Sequence, residues 1–289
     1  MSLAITGATG LVGRFFVEAA LAQGTPVTVL GRTPPPRGFF PGVVAHRHYR
    51  LGERPDLTGH STLIHCALAH LPGRYRGGEG DDPEGFTRLN LDGSATLFQA
   101  ARDSGVARLI FVSSRAVYGA YPPGTTLHED LALKPDTLYG RIKAQAEDRL
   151  FALASPDFSP TALRATGIYG PPGPGQRHKW ADLFDAFRAG QPIAPRRGTE
   201  LHGADLAAAA HLIRSLPPET TGARAFNLSD IVLDRHDLLT LLARDRAIPH
   251  PPPPRATTPL SLPNTERMRA LGWQPRGRAG LIATLPLLH

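Results

Sequence analysis

Tyr139 and Lys143 stand four residues apart in DTLYGRIKAQAE (136–147), a spacing that sets both side chains on one face of a helix. A phenol beside an ammonium is a pairing suited to holding and moving a proton. The lysine is itself informative. Of the 32 basic residues only Lys134, Lys143 and Lys179 are lysine, and arginine supplies the rest. Chance would place a lysine somewhere, but a compact ammonium with three rotatable donors is also what a forked guanidinium does not imitate. Ser113 and Ser114 close the strand-like run of ARLIFVSSRAVYG (107–119), and the carboxyl end of such a strand is where open α/β sheets bind ligands.

A second constellation lies at the start of the chain. In ITGATGLVGRFF, Gly7, Gly10 and Gly13 follow the spacing GxxGxxG between an apolar run and an amphipathic one. The first glycine allows a tight exit from a strand, the second a close approach of backbone to phosphate, and the third close packing of helix on sheet. Thr9, Leu11 and Val12 complete the turn, and the helix that follows offers unpaired N–H groups and a positive dipole end to a pyrophosphate. The reading is dinucleotide binding. At the end of the next strand (VTVLGRTPPPRG), Gly31 occupies the place where an acid would grip ribose hydroxyls, and Arg32 follows. A guanidinium there pairs with a 2′-phosphate, so NADP is expected, with NAD the alternative and a surface arginine the plainer reading.

These groups need a frame to hold them. Apolar runs at 2–6, 26–30, 43–48, 62–67, 107–114 and 161–166 alternate with helical patterns at Leu11–Gln23, Glu84–Ser104 and Thr137–Ala154. Gly24 and Gly105 are the expected stops of the first two helices. Such alternation predicts a parallel sheet wrapped by helices. Beyond about residue 170 the pattern breaks into short helices and turns, and HPPPPRATTP (250–259) reads as an extended surface connector. No internal repeat is visible.

Composition bounds the rest. The 289 residues are 41% hydrophobic, enough for a large core, and the single Cys66 excludes an internal disulfide framework and a multi-cysteine metal site. The net charge of +7 comes from scattered arginines without a basic and aromatic stripe, which argues against nucleic acid as a partner. No apolar run reaches the roughly 18 residues of a membrane span, and no charged leader precedes the first strand-like run, so a soluble cytoplasmic protein is expected. His65, His70, His178 and His202 lack metal-ligand spacing; His65 reads as buried beside the sheet and His202 as structural.

Taken together, TGATGLVG (6–13), LIHCALA (63–69), LNLDGSATLFQAARDSGVARLIFVSSRAVYG (89–119), YGRIK (139–143), LRATGIYGP (163–171), LHGADLAAA (201–209), AFNLSD (225–230) and ERMRALGWQP (266–275) resemble the extended short-chain dehydrogenase/reductases, the NAD(P)-dependent sugar epimerase, dehydratase and reductase family. The resemblance covers nearly the whole chain in both order and spacing. It implies an α/β fold: a Rossmann-like doubly wound parallel sheet at 1–170, rejoined by a strand and helix from about 200–230, with a smaller substrate-binding lobe mainly at 171–289. It implies Ser114, Tyr139 and Lys143 as catalytic residues, Ser113 packing or touching cofactor, and Asn90 as structural. Ala67 and Leu68 would pass close to the cofactor, and Ala165, Thr166 and Gly167 would border its nicotinamide. A free phenol titrates near about 10, and an ammonium one turn away together with a cationic nicotinamide favours its phenolate, so Tyr139 would take a proton from a substrate hydroxyl or return one to a carbonyl. Ser114 would hold the same oxygen, and Lys143 would also bind the nicotinamide ribose.

Two departures from the family pattern narrow the expectation. Arg115 and Ala116 stand where its dehydratases carry an acidic pair, so elimination is not expected. Gly198, Thr199 and Glu200 replace an arginine and an aromatic that meet nucleotide-sugar phosphates, with Arg196 and Arg197 slightly upstream as substitutes. The loop LPGRYRGGEGDDPEGF (71–86) reads as a lid, with Arg74 and Arg76 placed to grip an anionic substrate. The expected activity is oxidation or reduction at a hydroxyl or ketone of a sugar-like or nucleotide-sugar substrate. The alternatives are an epimerase that retains its cofactor and a non-catalytic dinucleotide-sensing protein. The resemblance also implies a homodimer through the helices at 92–104 and 137–154.

Overall fold

The computed structural model describes residues 2–71, 77–119 and 121–288. Seven strands form one sheet: β1 (Leu3–Thr6), β2 (Val27–Gly31), β3 (Ala45–His48), β4 (Thr62–His65), β5 (Arg108–Ser114), β6 (Ser159–Ala165) and β7 (Arg224–Leu228). Their order is β7-β6-β5-β4-β1-β2-β3, and every neighbouring pair is parallel. A parallel sheet is buried on both faces, which is why β1, β4 and β6 read as unbroken buried runs rather than as alternations.

Helices cover both faces. On one side α1 (Gly13–Ala22) contributes Phe15, Phe16 and Val17 to a cluster that also holds Ile5, Leu163 and Phe226. On the other, α2 (Gly93–Asp103) and α3 (Leu138–Phe151) bring Leu97, Phe98, Ile142 and Leu150 against Ala4, Leu109 and Phe158. A later helix, α4 (Gly203–Ser215), packs beside α1 through Leu206, Ala209 and Ala210. Chain order along the sheet reverses between β1 and β4. In doubly wound sheets, the crevice at the carboxyl ends of the strands flanking that reversal takes the ligand.

One feature differs from the sequence reading. The helix expected over Glu84–Ser104 is broken into Pro83–Thr87, a wide turn at Arg88–Asp92, and α2. Asn90 is the cause we identify: its side-chain amide donates to the Phe86 carbonyl, 2.9 Å away, and competes with the backbone ladder. The segment around AFNLSD adds β7 as an edge strand. Gly24 and Gly105 end their helices at φ +66° and +76°, in the left-handed region that glycine tolerates.

Beyond β6 a second, three-stranded sheet is built from Gly167–Tyr169, Arg197–His202 and Ile231–Asp234. Its apolar side, with Tyr169, Trp180, Phe184, Leu239 and Leu281, forms a core separate from those of the main sheet. The proline-rich stretch lies along this lobe, held by His236 Nδ1 and the Pro253 carbonyl at 2.8 Å and by Arg197 on the Thr258 carbonyl at 2.8 Å. Tryptophan and arginine of the GWQP segment return to α4: Trp273 Nε1 donates to the Asp205 carbonyl at 2.9 Å, and Arg276 Nε meets the Asp205 carboxylate at 3.2 Å. No helix among the described residues is long and apolar enough to cross a membrane.

Candidate active site

The turn after β1 is built by the absence of side chains. Gly7 sits at φ +66°, and a Cβ there would come within 2.8 Å of the Ala67 nitrogen and 2.9 Å of its Cα. A Cβ on Gly13 would overlap the Gly7 carbonyl oxygen and lie 2.8 Å from the Ala8 Cα. These two glycines let the first turn of α1 and the loop after β4 close on the same few ångströms. Val12 precedes α1 without any side-chain cap, and backbone carbonyls meet the first turn instead, that of Gly10 accepting from the Arg14 N–H at 3.3 Å and that of Val12 from the Phe15 N–H at 3.2 Å. Gln176 Nε2 donates to the Thr9 carbonyl at 2.7 Å, fastening the YGPPGPGQ turn to the rim of this cradle. Leu11 is half-buried beside it.

Ser114 ends β5 in register with Ala165 of β6, with Ser113 opposite Arg164. The Ser114 Oγ accepts from the Ala116 N–H at 3.1 Å, which fixes the side chain at the start of the turn Arg115–Val117. Thr137 caps α3, its Oγ accepting the Gly140 N–H at 3.0 Å, so Tyr139 falls in the first turn and Lys143 one turn later. Gly140 was not singled out in the sequence, yet a Cβ on it would stand 2.5 Å from the Ala116 carbonyl. Its bare backbone lets the start of α3 reach the turn that follows Ser114. Gly119 serves the next bend, at φ +55°, where a Cβ would overlap the Lys134 carbonyl oxygen.

Lys143 is 5% exposed. Its Nζ donates to the Val112 carbonyl at 2.8 Å, sits 4.4 Å from the Phe111 ring centre and 5.9 Å from that of Tyr139. Burial draws the ammonium down to about 8, partly opposed by Cys66 and Glu147. The same burial pushes the Cys66 thiol up to about 12. His65 is drawn down to about 3, by burial first and by the Lys143 charge second. It stays a neutral strut, with Nδ1 2.7 Å from the Thr6 Oγ and Nε2 3.0 Å from the Ser94 Oγ. Asn90 ties the loop after β4 to the helix layer, its Oδ1 accepting the Ala69 N–H at 2.7 Å and its Nδ2 donating to the Ala69 carbonyl at 2.8 Å.

Ser113 faces away from the cleft and donates to Glu147, which Arg164 holds at 2.7 Å through Nη2 and 3.0 Å through Nε. Although burial opposes it, the Glu147 carboxylate keeps the Arg164 guanidinium firmly charged. Arg115 reaches the Ser261 carbonyl at 3.0 Å, so the position of a dehydratase acid is taken by a cationic tie to the second lobe. Arg197 is committed to Thr258, leaving Arg196 as the exposed member of that pair. His202 caps α4 through the Ala204 N–H at 3.0 Å and packs edge-on against Phe15 and Tyr169. Arg32 is exposed at the end of β2, with its carbonyl taken by His48. Arg74 and Arg76 lie outside the described residues.

The cradle and the strand ends fit a dinucleotide. A Cβ at Gly7 or Gly13 would fill the turn, and the helix behind it is uncapped. At the far end, Thr166 donates its N–H to the Leu228 carbonyl at 3.0 Å. Its Oγ is shut off from solvent and has no protein partner among the described residues. Ala67 backs the cradle, whereas half-buried Leu68 turns toward the α2–α3 cluster.

Comparison with known proteins matches residues 3–229 to a model of the NAD dependent epimerase/dehydratase family. The mouse sterol-4-alpha-carboxylate 3-dehydrogenase, decarboxylating, is 32% identical over 195 residues, 65% of this chain and 50% of its own length. The chain thus spans about half the length of the curated relatives it matches. Among solved structures, MoeE5 in complex with UDP-glucose and NAD superposes with a TM-score of 0.80 at 24% identity, covering 100% of this chain and 97% of that one. A UDP-glucose 4-epimerase of Thermus thermophilus in complex with NAD does so at 0.80 and 22%, covering 100% and 99%. At these identities the structural likeness speaks for the fold.

Proposed function

The chain belongs to the NAD-dependent epimerase/dehydratase family, and from that premise we propose that it is an oxidoreductase of the extended short-chain dehydrogenase/reductase type, acting on a hydroxyl or ketone of a sugar-like small molecule. What supports the reading is a buried Lys143 held on the Val112 carbonyl one helical turn from Tyr139, with Ser114 at the carboxyl end of β5 and the glycine cradle at the end of β1. Gly7, Gly10 and Gly13, with Thr9, Leu11 and Val12, would seat a pyrophosphate. Ala67 and Ala165 would line the path to the reacting end, and Thr166 Oγ is a buried acceptor and donor awaiting a partner there. When bound, a nicotinamide dinucleotide supplies hydride exchange with a carbon of the substrate.

The chain's own residues supply the rest. Tyr139 Oη takes the proton of a substrate hydroxyl, or gives one to a carbonyl oxygen, and Ser114 Oγ holds that same oxygen in place. Lys143 lends a fixed positive charge from a site where water is scarce and the field is strong. The Val112 carbonyl and the Phe111 ring face hold that charge still. Arg32, exposed and two residues beyond Leu30, favours NADP over NAD. The same reading expects a homodimer through α2 and α3, which already lie side by side with Arg149 paired to Asp92 at 2.7 Å. An epimerase that keeps its cofactor is the second reading, supported by the likeness to the UDP-glucose 4-epimerase of Vibrio cholerae, 29% identical over 197 residues.

Fluorescence titration with NADPH and NADH, followed by absorbance assays with UDP-glucose and small ketones, tests the proposal. Saturable binding of one dinucleotide with substrate-dependent change at the nicotinamide band is expected for the oxidoreductase. Conversion of the sugar with no such change assigns the epimerase. Failure of both dinucleotides to bind removes the reading.

A further inference from the structure

The lobe beyond β6 brings a charge pair to the edge of the cleft that the motif residues do not include. Gly167 is the second residue past Ala165, so it lies roughly 7 Å of extended chain beyond the strand end that faces Ser114. In the small sheet Gly167 pairs in parallel with Glu200, which puts the Glu200 side chain on the side where Gly167 has none. That space is filled by two tips. A Cβ on Gly167 would overlap Lys179 Nζ and stand 2.6 Å from Glu200 Oε2. Lys179 and Glu200 are ion-paired through Nζ and Oε2, with side chains 17% and 13% exposed. Among the described residues, Glu200 Oε1 and the remaining ammonium hydrogens have no protein hydrogen-bond partner.

We propose that Lys179 and Glu200 form a hydroxyl-reading pair, selecting a substrate with a neutral vicinal diol. This rests on the oxidoreductase reading for the identity of the cleft. The pair offers one unused acceptor and spare donors side by side, the complement of two adjacent hydroxyls, each of which both donates and accepts. Its charges cancel locally, so a second anion gains little from Lys179 and is repelled by Glu200. Burial pushes the Glu200 carboxyl up, with Lys179 and Arg196 opposing, which marks the site as poorly hydrated. Water completes the pair at its partly open side, and a diol that replaces that water keeps its hydrogen bonds. Lysine is the residue suited to the role, since its donors rotate while one remains on the carboxylate.

The test is calorimetric binding of UDP-glucose and of UDP-3-deoxyglucose to the NADPH-loaded protein, in the wild type, Glu200→Gln and Lys179→Met. One hydrogen bond to a charged group corresponds to about a 10- to 100-fold preference for UDP-glucose in the wild type. In either variant that ratio is expected to fall below threefold. Lys179→Met serves if Glu200→Gln fails to fold, because only the ammonium is then removed. Equal affinity of the wild type for both sugars, no binding of either, or an unchanged ratio in both variants would overturn the proposal. Turnover is read separately at the nicotinamide band with NADP+ in place of the reduced dinucleotide, because oxidation of a sugar hydroxyl needs a hydride acceptor. Selective binding without turnover leaves the diol pair standing and sinks the oxidoreductase reading, whereas turnover without selectivity does the reverse.

Discussion

Replacing Lys143 with methionine removes a cation from a place that does not favour one. The ammonium is 5% exposed, and burial holds it at about 8 instead of 10.5. The unfolded chain therefore keeps its proton to about pH 10.5 while the folded one gives it up near 8. The cost to stability is whole below pH 8, fades between 8 and 10.5, and is absent above. That gap corresponds to roughly 3 kcal/mol. Against it stands the hydrogen bond to the Val112 carbonyl at 2.8 Å, a charge-assisted bond whose loss costs about 2 kcal/mol. The methionine variant should thus be about 1 kcal/mol more stable than the wild type at pH 7 and about 1 kcal/mol less stable above pH 10.5, where the neutral amine keeps only an ordinary hydrogen bond. Turnover should be lost across the range. Urea denaturation of both proteins from pH 7 to 10.5 reads the difference directly, and shared titrations cancel in it. A stability difference that does not move with pH would refute the reasoning, because it would mean that Lys143 is not held as a costly buried cation.

Gly13→Ala would force a methyl into the Gly7 carbonyl, and should weaken dinucleotide binding at least tenfold in fluorescence titration while costing about 1–3 kcal/mol of stability. Arg32→Ala should lower NADPH affinity about 10- to 100-fold and leave NADH affinity alone; an unchanged preference would remove Arg32 from the 2′-phosphate site. Arg164→Met leaves the Glu147 carboxylate, 1% exposed, without its cationic partner, and should lower the unfolding free energy from urea denaturation by about 3–5 kcal/mol.

Much of this was legible because the chemistry and the scaffold use the same letters. Gly7 and Gly13 are needed where backbone meets backbone, and Tyr139 and Lys143 sit on a helix whose cap, Thr137, is also in the sequence. Most of the strand runs were visible because a sheet buried on both faces needs continuous apolar segments, whereas the edge strand β3 is polar and half-exposed. What stayed hidden depends on partners distant in the chain. The hold on β7 is one example: the Asn227 N–H is taken by Glu129 at 2.9 Å and its side chain meets the Leu127 carbonyl at 2.8 Å. The wide turn at Arg88–Asp92 follows from Asn90 reaching two elements at once. Arg164 inside an apolar strand was the one available signal for the buried pair with Glu147. Gly167, Lys179 and Glu200 carry no joint motif, since their meeting is set by the register of a small sheet.

The central claim is that the Tyr139 phenol carries the proton while Ser114 and Lys143 hold its surroundings. Steady-state turnover of Tyr139→Phe, measured beside its NADH and NADPH affinities, tests it most directly. The account predicts a fall of about 10²- to 10⁴-fold in kcat with dinucleotide affinity kept within threefold. Turnover within threefold of the wild type would contradict it.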